Sequence, residues 1–194
     1  MIKKFNDYDS TKSYSDFPTL PKGAYICKVM GASIGKSSSG EYIKVSFDIA
    51  EGEYAGFYAT DYRAQQGEDK KWRGNYFLNI PADDGTEKDG WTKRRFKTFT
   101  EALEECNPGY HFDWDETKFK GKLFGGLFNQ REYKNQRGEY SWITNLAQVT
   151  TVEKIKSGSF KIPADRPAKY RPAPPTSEGF MDVPAGAEEE GLPF

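Results

Sequence analysis

The stretch YIKVSFDI (42–49) decides the fold. Ile43, Val45, Phe47 and Ile49 fall on one side of an extended chain, and Tyr42, Lys44, Ser46 and Asp48 on the other. Period two with β-branched residues is the pattern of a strand half-buried against a core. Upstream, AYICKVMGAS (24–33) reads as a strand and GKSSSGE (35–41) as the loop between the two. Downstream, GEYAG turns the chain and FYATDYR (57–63) reads as a third strand. AQQGEDKKWRG (64–74) is a charged extension, NYFLNI (75–80) is strand-like, and PADDGTEKDG (81–90) is a polar loop.

The period then changes. Within TKRRFKTFTEALEECN (92–107), Phe96, Phe99, Leu103 and Cys106 are three, four and three apart, one apolar stripe of a helix. Thr92 suits its N-cap, and Asn107-Pro108-Gly109 its stop. KLFGGLFNQREY (122–133) reads as a strand with Gly125-Gly126 as a bend or bulge. NQRG (135–138) turns it into a last strand, YSWITNLAQVTTVEKI (140–155). Three strands, an extension, a helix and two strands form the element order of an OB-fold. The expected class is therefore mainly β: a five-stranded OB-fold barrel with one helix between strands three and four. An immunoglobulin-like sandwich has no core position for such a helix.

Composition divides the chain. Seven of the 11 prolines lie beyond residue 157, with only four of the 30 aromatics. Such a segment cannot bury enough apolar surface to offset chain entropy. The expected organisation is an N-terminal arm at 1–22, an OB-fold domain at 23–156 and a disordered, Pro-rich linker with an acidic tip at 157–194. The 194 residues carry 28 basic and 29 acidic side chains, which excludes a uniformly basic protein. The last segment takes four of the bases and six of the acids, leaving a body close to neutral. Two cysteines, Cys27 and Cys106, exclude a disulfide scaffold, and no run approaches a membrane span. The N-terminal residues lack the apolar core of a signal peptide, so a reducing cytoplasm is the expected compartment.

Several motifs resemble chemistry without supplying it. GASIGKS (31–37) is one residue short of a phosphate loop and leads into a strand, not a helix. Asp83-Asp84 and Asp113/Asp115/Glu116 fall in expected loops without histidine neighbours, and read as solvated charge. His111 lies just past the helix stop and reads as structural; Cys27 and Cys106 read as packing residues. No nucleophile–base pair is evident. The expectation is a non-enzyme with no cofactor and no metal.

What remains is aromatic rings interleaved with bases. Tyr62-Arg63, Lys70-Lys71-Trp72-Arg73 with Tyr76, Trp91 before Lys93-Arg94-Arg95, and Arg131-Tyr133-Lys134 with Arg137, Tyr140 and Trp142 all follow this pattern. Unpaired bases stack on rings at about 1–3 kcal/mol each, and the phosphates between them need cations. On an OB-fold the ligand surface is the face of strands two and three with two flanking loops. Tyr42, Lys44, Tyr58 and Tyr62 are expected on that face, with Lys36 and the 131–137 hairpin at its flanks. The expected nucleic-acid contacts are Lys36, Tyr42, Lys44, Tyr58, Tyr62, Arg63, Lys71, Trp72, Arg73, Arg131, Tyr133, Lys134 and Arg137. The bland alternative is that Tyr58, Tyr62 and Trp142 are core, with charged neighbours snorkelling over them.

The chain closes on AEEEGLPF (187–194). Acids before a small apolar tip suit a basic-rimmed hydrophobic pocket on a partner. Glu188, Glu189, Glu190, Leu192, Pro193 and Phe194 are the expected partner contacts.

This tip resembles that of bacterial single-stranded DNA-binding proteins, in which aspartates precede Ile-Pro-Phe. Here glutamates stand for the aspartates, Leu192 for the isoleucine, and Gly191 is added. The body is similar to a family of bacteriophage-encoded single-stranded DNA-binding proteins. The carrying segments are GKSSSGEYIKVSFDIAEGEYAGFYATDYR and RRFKTFTEALEECNPGYHFDWDETKFKGKLFG. With the following strand they span roughly residues 23–163. The resemblance implies an OB-fold that protects or presents single strands during replication, recombination and repair in a bacterial host. Replication and recombination proteins would be its partners through the tip, and a homo-oligomer is left open. Two rivals stand beside this reading: an OB-like protein-interaction adaptor without nucleic acid, and a strand-annealing recombination protein.

Overall fold

In the computed structural model, residues 3–10, 19–38, 40–66, 68–135 and 137–168 are described. The tip residues Glu188–Glu190 and Leu192–Phe194 lie outside them. The elements in chain order are β1 (Gly23–Ser37), β2 (Gly40–Ile49), α1 (Phe57–Ala64), β3 (Asn75–Asn79), α2 (Glu87–Cys106), β4 (Leu123–Lys134), β5 (Tyr140–Thr150) and α3 (Val152–Lys156). The class is mainly β. The five strands form one antiparallel sheet in the order β3-β2-β1-β4-β5. The sheet is open: no pairing joins β3 to β5 among the described residues.

The alternation of β2 holds through Phe47; beyond it Asp48, expected on the polar face, is buried. Ile43, Val45, Phe47 and Ile49 are buried, with at most 4% of each exposed. They meet α2, whose buried stripe is Phe96, Phe99, Ala102 and Leu103. Rings dominate this core. Phe47 packs against Tyr58, Phe124 and Phe128 at 5.4–5.9 Å between centroids, mostly edge to face. Phe99 meets Tyr76, Phe119 and Phe124 at 5.6–5.8 Å. Each fully buried ring contributes about 1.5–3 kcal/mol by burial alone, plus ~0.5–1.5 kcal/mol per well-placed ring pair. Much of the aromatic surplus in the sequence therefore goes into packing.

Five local expectations are corrected. Residues 57–63 are helix, not the third strand; the third strand is β3. The cause is non-local: the buried Asp48 carboxylate accepts from the amides of Tyr58 (2.9 Å) and Ala59 (3.0 Å), holding the start of α1 from the end of β2. Helix α2 begins a turn and a half earlier than Thr92, because Thr86 is its N-cap and its hydroxyl accepts from the Asp89 amide. The strand β1 continues through Ser37, so the loop expected at 35–41 is only its tight connection to β2. The last strand stops at Thr150, where Thr151 caps α3. Gly125 and Gly126 are not a bulge. A Cβ on Gly125 would lie 2.7 Å from the Thr151 carbonyl oxygen, so glycine there lets α3 sit against the sheet.

The boundary near 157 is also later than composition indicates. Beyond α3 the chain runs back along the length of β4 that β1 leaves unpaired. The Arg166 amide donates to Gln130 and its carbonyl accepts from Glu132, a parallel bridge to Arg131. Asn129 donates to the Ala164 carbonyl, and the Ala168 amide donates to Glu132. Lys22 clamps this strap from the N-terminal side through Asp165 at 2.8 Å.

Candidate nucleic-acid interface

The side of β1–β3 turned away from the core carries the strongest candidate. Register aligns it in three rows: Gly35, Tyr42 and Asn79; Ser33, Lys44 and Phe77; Gly31, Ser46 and Asn75. β1 offers only glycine and serine here. The Tyr42 ring lies over Gly35, where an added Cβ would come 2.6 Å from it. Tyr42 and Phe77 meet edge to face at 5.4 Å, and Phe77 is 50% exposed. Lys44 stands one register step from Tyr42, directly across from Phe77. A bulge at Met30 lets β1 keep this parity beyond Val29.

The platform continues toward α1. Ser46 donates to Asn75, Asn75 donates to the Trp72 carbonyl, and the Trp72 ring lies 5.9 Å from that of Tyr62. Trp72 is half-buried, and its indole N–H is shared by the carbonyls of Phe47 and Gly74. Arg73 pairs with Asp61 at 3.1 Å. Arg63 and Lys71 are exposed beside them. Of the expected contacts, Tyr42 and Lys44 thus share this side of the sheet, Tyr62 and Trp72 meet ring to ring with Trp72 also packed against the core, and Arg73 is tied to Asp61 of α1.

Tyr58 does not join them. It is 7% exposed, edge-on to Phe47, and burial pushes its hydroxyl pKa well up. It is a core residue. Lys36 pairs in register with Glu41, on the opposite side of the sheet from Tyr42, and its amine lies 4.0 Å from that carboxylate. The β4–β5 hairpin leaves the sheet at the end opposite the β1–β2 hairpin. By register Arg131 (opposite Ile143) and Tyr133 (opposite Ser141) share the Lys44 side and Lys134 (opposite Tyr140) takes the other, yet at the end of the hairpin Tyr133, Lys134 and Arg137 line one cavity of about 450 Å³. Trp142 goes with Lys134, opposite Glu132. Arg137 is exposed at the turn.

Reading the sequence alone passed over Phe77, which alternates with the core residues Tyr76 and Leu78. It also passed over an apolar groove of about 680 Å³ on the other side of the sheet, lined by Ile34, Ile43, Phe96, Phe112 and Trp114 among others. Trp114 is 80% exposed, lies parallel to Phe96 at 6.1 Å, and has a left-handed backbone (φ 68°). Nothing in the local sequence signals that conformation.

The carboxylates in the loops have ordinary partners. Asp83 pairs with Lys93, Asp113 with Lys118, and Asp115 caps a 3₁₀ turn at Glu116–Phe119. Among the described residues no group of three or more His, Cys, Asp or Glu could hold a metal. Cys27 is buried, which raises its thiol pKa, and Cys106 accepts from the Val152 amide. No described helix is long and apolar enough to cross a membrane. No protein-family model matches this chain, and no curated protein matches it.

Proposed function

We propose that this protein binds single-stranded DNA, with little sequence preference, across the outer side of β1–β3. The observation that carries the reading is the Tyr42–Phe77 ring pair with Lys44 beside it, facing a strip of glycine and serine on β1. Rings accept any base on its π face, so such a platform discriminates little between sequences. Lys44, Arg63, Lys71 and Arg73 supply cations for the phosphates. Arg131 and Tyr133 extend the same side at the far hairpin.

We read the sheet as an OB-fold barrel that stays open between β3 and β5. Its order would become a ring if those two strands met, and α2, following the third strand, contacts both. The ligand surface is then the usual face of strands two and three. The role that follows is non-enzymatic: coating and protecting single strands in phage-type replication, recombination and repair. Residues 188–194 recruit partner enzymes. The resemblance of body and tip to single-stranded DNA-binding proteins supports this. The apolar groove at Ile34 and Trp114 favours a second reading, an adaptor that holds a protein there.

Fluorescence anisotropy of a labelled oligo-dT at two salt concentrations tests the proposal. Binding that weakens as salt rises is expected. Removing residues 188–194 should leave DNA affinity equal or higher while abolishing partner capture. No binding at low salt would overturn the reading in favour of the adaptor.

A further inference from the structure

We infer that the N-terminal half of α2 is a second contact for the same strand of DNA, a backbone clamp reached by passing over the edge of β3; this rests on the function proposed above. β3 ends the sheet, with Phe77 on its outer side and Tyr76 on its inner side. Tyr76 is where α2 begins to contribute. Arg95 donates from Nε to the Tyr76 hydroxyl at 2.7 Å and lies over its ring at 4.7 Å. At the preceding residue, the Arg94 guanidinium lies over the Trp91 ring at 4.5 Å, and Trp91 is 63% exposed. Lys88 is exposed three residues before Trp91, on the same side of the helix.

The charges distinguish this side from its neighbour. Toward the apolar groove, Lys93 is paired with Asp83 and Asp89, and Lys97 with Glu101. Lys88, Arg94 and Arg95 have no ion pair among the described residues. The acids of the first turn are Glu87 and Asp89, the latter held by Lys93, and Glu101 and Glu105 stand beyond Thr98. A guanidinium stacked on a ring keeps in-plane N–H donors for phosphate oxygens; in Arg95 these are the terminal amines, since Nε–H is given to Tyr76. Two such contacts from neighbouring residues of one turn, beside an edge strand whose other side holds the ring platform, suit a backbone that bends around that edge.

The test uses the full chain and labelled oligo-dT of about 6 and about 16 nucleotides, near the limits of what one such fold covers. Affinity is measured over a salt series for wild type, a Lys88→Ala/Arg94→Ala double variant, Arg94→Lys and Phe77→Ala. Alanine is favourable at exposed helix positions, so the fold is retained, and a melting scan verifies it. On the longer strand, the double variant should flatten the plot of log K against log salt by about 1.4, or about 0.7 per lost phosphate contact. On the shorter strand it should change nothing, and Arg94→Lys should keep the wild-type slope. An unchanged slope on the longer strand, with Phe77→Ala still weakened, removes the clamp and leaves the platform. Equal weakening on both lengths also overturns the clamp, placing α2 in the primary site. No effect of Phe77→Ala, or no binding by wild type, defeats the parent reading instead.

Discussion

Replacing Phe77 with alanine removes a ring from the solvent side of β3 without opening the core. Half of the residue is already exposed, and its ring partner among the described residues is Tyr42 at 5.4 Å. Losing that edge-to-face contact costs about 0.5–1.5 kcal/mol of stability. Against the ~5–15 kcal/mol typical of a domain, the protein stays folded. The binding cost differs. If Phe77 stacks on one base, its removal costs about 1–3 kcal/mol, a rise in Kd of about 5- to 150-fold. Anisotropy with labelled oligo-dT at one low salt concentration reads the change, and a melting scan on the same samples reads stability. Tyr58→Ala is the contrasting variant. It empties a core position, where losing a large ring costs about 3–5 kcal/mol, so its loss of binding should track its loss of folded protein. Phe77→Ala at wild-type affinity with an unshifted melting point would refute the argument.

Other consequences follow from single contacts. Asp48→Ala leaves the buried amides of Ile49, Tyr58 and Ala59 without their acceptor; it should cost about 1–3 kcal/mol and speed hydrogen exchange at Tyr58 and Ala59, and unchanged exchange would show that α1 does not depend on it. A Cβ at Gly74 would lie 2.3 Å from the Phe47 carbonyl oxygen and 2.7 Å from the Tyr58 ring, so Gly74→Ala should lower the melting temperature sharply, and a parent-like value would contradict this packing. Lys22 and the Gln130 amide hold the Asp165 carboxyl below its ordinary 3.8. A lowered folded value means its stabilisation is complete above the unfolded value and lost as pH falls through the lowered one. The Gln130 amide resonance should therefore move in that acid range, and Asp165→Asn should abolish the movement.

The sequence readings that held depend on neighbours close along the chain. Alternation in 42–49 and the stripe Phe96, Phe99, Leu103 each describe one surface facing one core, so period alone located them. The misreadings are sites settled from a distance. α1 carries one buried residue, Tyr58, and its own pattern is weak; Asp48 starts it from the preceding strand. The strap at 164–168 is polar and proline-flanked, yet backbone bonds to β4 hold it, and composition does not register an unpaired edge. For the candidate interface, the alternation of β2 put Tyr42 and Lys44 on the side away from the core, whereas Tyr62 was assigned to that face as part of a strand that is in fact α1. The same assignment included Tyr58, which α1 turns into the core. Phe77 escaped because no base stands next to it; Lys44 reaches it only through strand pairing.

Ultraviolet cross-linking of the full chain to oligo-dT, with peptide mapping of the adducts, asks directly where bases lie. Adducts at Tyr42 and Phe77, with others at Tyr62 or Trp72, are the expected result. Adducts confined to Trp114 and the groove beneath Ile34, or scattered without preference, would contradict a base-stacking platform on the outer side of β1–β3.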